Sequence, residues 1–422
     1  MKRREFLIGS AGVAGAMIPG VGAAEVIPCP PPVIVAVGGT STQSTCAPTN
    51  PGEAPAWFTA MAEKTWTTVA GNAGQRLYDV RATGIGGNPY AICTAWTGAC
   101  VDQATGRYIL PSNGGHGDYG GNEVYALNLR AATPAWARLN NPSSLSGRVD
   151  SPANGDLQYA DGTKPAGHHW HKPVCDINGN IWFPMVDGVY ASGAWTTHVW
   201  KFNLTTLTWT QYAKAFPTIG GNAGFEASPA AYDKVKNQVW GIVKAGYPAN
   251  NAGYWRIDPA TGATTQIIAN DYAASANGGK TWAAVAHDLG YLFYGTYNTD
   301  RLLILDVNNP TTPVNVAKTG TVPGNGHGCV YHQASRAFFL WHGNGANIIK
   351  IAIPADPVNG TWAISSVAPA ASNTVTPSAP PEQGTFSKFN IVEDMGNGQS
   401  ALVLLNAIDQ PTYVYKLPLG GV

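Results

Sequence analysis

From about residue 60 onward, apolar and polar positions alternate in short runs broken by Gly, Asp and Asn, and one arrangement keeps returning. An apolar run ends in an acidic or polar residue and a turn follows. A second apolar run leads to a Gly-rich loop, and a later strand closes with an aromatic residue. The instances begin at "AWTGACVDQATGRYILPSNGG", "HKPVCDINGNIWFPMVDG", "SPAAYDKVKNQVWGIVKAG", "WAAVAHDLGYLFYGTYN", "HGCVYHQASRAFFLWHGN" and "KFNIVEDMGNGQSALVLLN". Alternating β-branched and aromatic residues between such turns predict strands. The turn residues Asp102, Asp176, Asp233, Asp288, His332 and Glu393 are separated by steps of 74, 57, 55, 44 and 61. A four-stranded unit of roughly this length is a propeller blade, and a blade buries its faces only against neighbours in a ring. A β-sandwich would not need the repeat.

The stretch "EKTWTTVAGN" (Glu63–Asn72) reads as a lone outer strand far from any partner in sequence. It can complete the last blade beside "TYVYKL" and lock the ring. The expected fold is therefore all-β: a single β-propeller over 63–422, of six four-stranded blades closed by an N-terminal strand. The count becomes seven if Pro32–Gly39 or the long first interval hides another blade.

Composition narrows the setting. Only 12% of the 422 residues are charged, against roughly 25% in ordinary globular chains. The 50 Gly, 31 Pro and 14 Trp suit many short strands and turns. Lysine plus arginine equals aspartate plus glutamate, so no basic surface is offered to nucleic acid. The first residues, "MKRREFLIGSAGVAGAMIPGVGAAE", run from basic to weakly apolar to small, as an export signal does. Arg3-Arg4-x-Phe6-Leu7 resembles a twin-arginine signal. The expectation is a signal over 1–24, a Pro/Ser/Thr-rich segment over 25–62, and a monomeric periplasmic or secreted protein with no transmembrane span in the mature chain.

Six cysteines fit an oxidising compartment. Cys29 and Cys46 flank the Pro/Ser/Thr-rich segment. Cys93 and Cys100 fall in one strand-like run, where their odd spacing puts them on opposite faces. Cys175 and Cys329 sit in apolar strands as buried thiols. No CxxC spacing supports a structural zinc site.

Strand period two allows counting back from each turn residue into the strand that should line the channel. Five positions back stand Thr97, His171, Ser228, Ala283, His327 and Lys388; seven back stand Ala95, His169, Glu226, Thr281, Asn325 and Phe386. His168 is out of phase and expected to point away. The stretch "SNGGHGDYGGN" then places His116, Asp118, Tyr119 and Asn122 in a loop on the same rim, with glycines that let the backbone approach a ligand. The alternative is a tight turn in which Asp and Asn cap their own backbone.

"VWKFNLTTLTWTQY" and "NEVYALNL" resemble the strand endings of kelch-type propellers of the galactose-oxidase-like superfamily, over most of the chain from about Lys64. That resemblance implies fold and leaves activity open. An exported propeller with rim His, Tyr and basic residues also resembles the polysaccharide lyases of the ulvan-lyase and rhamnose–glucuronate-lyase type. It implies β-elimination on a uronic-acid glycan, with His116 and Tyr119 as the proton-transfer pair and His171 and His327 orienting the sugar or acting as alternate acid. Asp118, Asn122, His169, Glu226, Lys280, Trp282, Asn325 and Lys388 would bind substrate, Lys388 holding the carboxylate. The chain departs from the lyase pattern in having no arginine in these columns. Two other readings stay open: a non-catalytic carbohydrate- or protein-binding propeller, and a copper-dependent oxidoreductase. For the latter, His116, His169, His171 and His327 are the candidate ligands of a divalent metal (zinc, calcium or copper).

Overall fold

The computed structural model describes residues 52–69, 74–112, 118–144, 157–171, 173–184, 188–191, 198–214, 229–243, 253–269, 282–296, 300–322, 324, 326–341, 343 and 345–422, with the backbone of 148–149. The expected signal, the N-terminal segment as far as residue 51 with Cys29 and Cys46, and His116, Glu226, Ser228, Lys280, Thr281 and Asn325 lie outside the described residues.

Six sheets, each built on four antiparallel strands, follow one another along the chain; the fifth carries an additional short strand, Lys318–Thr319, paired parallel to Trp362–Val367. Blade one is Cys100–Asp102, Arg107–Pro111, Val124–Asn128 and Trp136–Arg138. The inner strands of the other five are Val174–Cys175, Ala230–Asp233, Trp282–Ala286, Gly328–His332 and Phe389–Val392. Each inner strand packs beside the next, and the sixth returns to the first, so the sheets close into a ring. The protein is a six-bladed β-propeller.

The turn after each inner strand explains the repeat. Asp102 takes the Thr105 hydroxyl and the Arg107 guanidinium, Asp176 accepts the amides of Asn178 and Asn180, and Asp233 accepts those of Val235 and Lys236. Asp176 and Asp233 thereby satisfy amides that the chain reversal leaves unpaired, while Asp102 ties down side chains of its own turn. A left-handed residue then completes the reversal: Gly106, Gly179, Asn237, Gly290, Arg336 and Gly398.

Closure is as the N-terminal strand implies. Trp66–Val69 pairs antiparallel with Thr412–Lys416, Trp66 lying opposite Tyr415 and Val69 opposite Thr412. Trp66 Nε1 also donates to Ala346 O of blade five at 2.8 Å. The Lys416 ammonium is caged by the carbonyls of Phe58, Thr59 and Met61, which ties the segment before the closing strand to the last strand of the chain. Between blades the core is aromatic: Phe293 stacks on Phe338 at 4.1 Å and on Trp362 at 5.5 Å.

Two local readings are corrected. Cys93 is in a helical turn, Ala91–Thr94, rather than a strand shared with Cys100. Among the described residues counted five back from the turns, Thr97, His171, His327 and Lys388 precede the inner strands, which are shorter than the period-two count assumes, and only Ala283 is inside one.

Candidate functional site

Three segments meet on the rim where the inner strands begin. The first runs from 84 to 99, the second from 118 to 123, and the third from 157 to 171. Gly87 bridges to Tyr119, Gly120 N donates to Gly86 O at 3.0 Å, and Asn88 N donates to Asp118 O, which docks the first segment on the second. The third is stitched to the first at Trp96, whose carbonyl accepts the amides of Trp170 at 2.7 Å and His169 at 3.3 Å. Gly98 makes room for this crossing: a β-carbon there would stand 2.0 Å from Trp170 O.

Trp96, Trp170 and Phe386 all adopt left-handed backbone, with φ of 54°, 53° and 50°. A bulky L-residue there is strained by about 1–3 kcal/mol, and such residues gather at functional sites. These three come from neighbouring blades and touch: Trp96 to Trp170 is 5.6 Å between centroids, Trp170 to Phe386 5.3 Å. Trp170 and Phe386 are buried; Trp96 keeps part of its ring in solvent.

Beside them, the His168 ring lies tilted against Trp96, 4.5 Å between centroids, and sets Nε2 3.3 Å from Asp118 Oδ2. His168 is buried, whereas the Asp118 side chain is 36% exposed. The pair therefore presents a carboxylate at the surface, backed by an imidazole and flanked by an indole. Strand parity misplaces His168 because it assumes extended backbone; the left-handed turn at Trp170 breaks the alternation.

The remaining expected site residues divide by location. His171 and His327 come together with Lys388 beneath the rim, all three buried. Burial first, then the neighbouring Lys388 and His327, pushes His171 down to about 3, so the imidazole is neutral at ordinary pH. Its Nε2 has no partner among the described residues. Lys388 donates to Thr97 O at 3.0 Å and Gly384 O at 3.1 Å, and burial lowers it to about 8. His169 turns into blade two, against Phe183 and 2.9 Å from the ammonium of Lys164. Lys164 is brought down to about 7 by burial; its place five residues before a histidine carries no periodic signal.

Tyr119 is buried and donates to Glu123 Oε1 at 2.6 Å, an oxygen that Tyr125 also engages at 2.6 Å. Burial, then the Glu123 charge, holds the Tyr119 phenol far above its ordinary range. Asn122 is committed to Ser143, Thr163 and Lys164, knitting the loop to its neighbour. Trp282 is core, packed on Phe293 and facing Gly295. No group of three or more His, Cys, Asp or Glu among the described residues is placed to hold a metal ion.

Below the rim, a cavity of about 420 Å³ runs along the ring axis and touches the inner strands of all six blades. His171 and Ser387 stand at one end. At the other, Lys234 of blade three and Glu393 of blade six, opposite each other in the ring, form an ion pair.

No known family's sequence profile matches the chain, and no curated protein matches its sequence. Among solved structures it is similar to an auxiliary nutrient binding protein from Bacteroides ovatus, at 10% identity and a TM-score of 0.46, covering 84% of this chain and 77% of that one. A structural-genomics protein of unknown function from Bacteroides thetaiotaomicron gives 11%, 0.46, 83% and 75% respectively. A nidogen/laminin complex gives 8%, 0.38, 70% and 90%. The class of protein, a six-bladed β-propeller, rests on its own sheets and their closed ring.

Proposed function

We propose that this is an exported, carbohydrate-active propeller that binds a glycan on the rim formed by blades six, one and two. The observation that carries the reading is the cluster of left-handed aromatics beside the Asp118–His168 pair. Strain at three touching residues is retained where a fixed geometry serves a ligand. Trp96 offers a part-exposed ring on which the apolar face of a sugar can stack, and Asp118 offers two acceptor oxygens for vicinal hydroxyls. Tyr119, Glu123 and Asn122 lock the loop that carries Asp118, which lowers the ordering cost of binding.

The Asp118–His168 contact also favours a second reading, polysaccharide lyase chemistry. Of the pair it is the surface carboxylate of Asp118, held in place by the buried imidazole, that can reach a substrate and serve as general base. In β-elimination it would take the proton beside the uronate carboxylate; the electron pair forms the ring double bond and expels the glycosidic oxygen, which is protonated as it leaves. The test is a panel of neutral and uronate polysaccharides, with calorimetry for binding and ultraviolet absorbance for unsaturated product. Binding lost in Trp96→Ala supports the first reading. Product formation lost in His168→Gln adds the second, and binding without product removes it. No binding across the panel overturns both.

A further inference from the structure

Cys100 and Cys175 occupy neighbouring inner strands, of blades one and two, and both line the axial cavity. Cys100 is buried within the apolar cluster between these blades, and Cys175 packs against the same cluster while remaining partly accessible. The two thiols are within side-chain hydrogen-bonding reach, an interaction that drives the Cys175 thiol well above its ordinary range. Both are free thiols as folded, so the blade contact forms without any bond between them. Three features then coincide: adjacent strands of a closed ring, thiols within reach of each other, and one cavity that both side chains line. The Sγ of Cys175 additionally lies 3.6 Å from Asp176 O, in the turn that ends its strand.

We propose that Cys100 and Cys175 are a modification site: a dithiol that a small-molecule disulfide converts to an inter-blade disulfide. Cys100, deprotonated, attacks one sulfur of the oxidant and expels a thiolate. The Cys175 proton then leaves, its sulfur attacks Cys100, and a second thiolate departs. Overall two protein thiols and one disulfide give one protein disulfide and two small thiols. The bond joins the two blades that present Trp96, Asp118 and His168, so it acts on the frame of the rim and not on any residue of it. Because the bridge closes a long loop, its main effect is to restrict the unfolded chain.

The experiment is incubation of the full-length protein with oxidised glutathione, followed by alkylation under denaturing conditions and non-reducing peptide mapping. A peptide pair linked through Cys100 and Cys175, with both residues protected from alkylation, is the expected result. The melting temperature should rise by about 4 °C or more relative to the reduced protein, and the rise should vanish in Cys175→Ser. Cys100 and Cys175 still alkylated after treatment, stable mixed disulfides at either residue, or a different pairing would each overturn the proposal. Mapping the wild-type chain keeps the test independent of whether either serine variant folds.

Discussion

The amide of Trp170 donates to the carbonyl of Trp96 at 2.7 Å, and both tryptophans are held at positive φ. One hydrogen bond thus couples two strained residues from neighbouring blades. Their rings then divide the work, since Trp170 is buried and Trp96 reaches solvent.

Replacing each ring should therefore have different consequences. Trp170→Ala removes a large buried side chain and should cost about 3–5 kcal/mol of stability, read from urea unfolding. Trp96→Ala should change stability less and weaken glycan binding about tenfold or more, which corresponds to about 1.4 kcal/mol. Equal effects of the two variants on affinity and on stability would contradict the division.

Gly98 is the point of closest approach between the first and third rim segments. Gly98→Ala should destabilise by about 1–3 kcal/mol, because the new methyl meets the Trp170 carbonyl oxygen and the Ser387 hydroxyl. The variant should also impair rim binding, measured by calorimetry at a temperature where it remains folded. A neutral effect on both would mean that the crossing is not fixed.

Stability should depend on pH in two windows. His171 is held at about 3 when folded, against 6.5 ordinarily. A lowered pKa means the unfolded chain binds the proton more readily, so the contribution is complete above 6.5 and is lost as pH falls toward 3. His171→Gln should flatten that part of a urea-midpoint profile. Lys164 and Lys388 are lowered from 10.5 to about 7 and about 8, so between those values and 10.5 stability should rise with pH. Lys164→Met should reduce that slope; an unchanged profile in both variants would show that these groups do not titrate as placed.

Lys234 and Glu393 pair across the far end of the axial cavity. Both are about one-third exposed, so Glu393→Gln should cost only about 0–1 kcal/mol. Its effect should appear instead in access: alkylation of Cys175 by a bulky maleimide should accelerate in the variant. Unchanged kinetics would show that the ion pair does not obstruct the axial opening.

What the residues alone determined is the propeller. Six turn residues mark six inner strands because each reversal uses a residue at positive φ and, as at Asp176 and Asp233, a carboxylate can accept its free amides. The segment around Trp66 announced closure because its alternation had no local partner. The candidate site was only half legible. Counting by two gathered His171, His327 and Lys388, and the glycine-rich loop pointed to Asp118. Counting could not find His168, nor separate Trp96 from Trp170 and Trp282, because strand parity holds only while the backbone stays extended. At Trp96, Trp170 and Phe386 the chain turns left-handed, a choice made by packing between blades. Such packing joins residues far apart in sequence, so it has no local signature and exists only once the ring has closed.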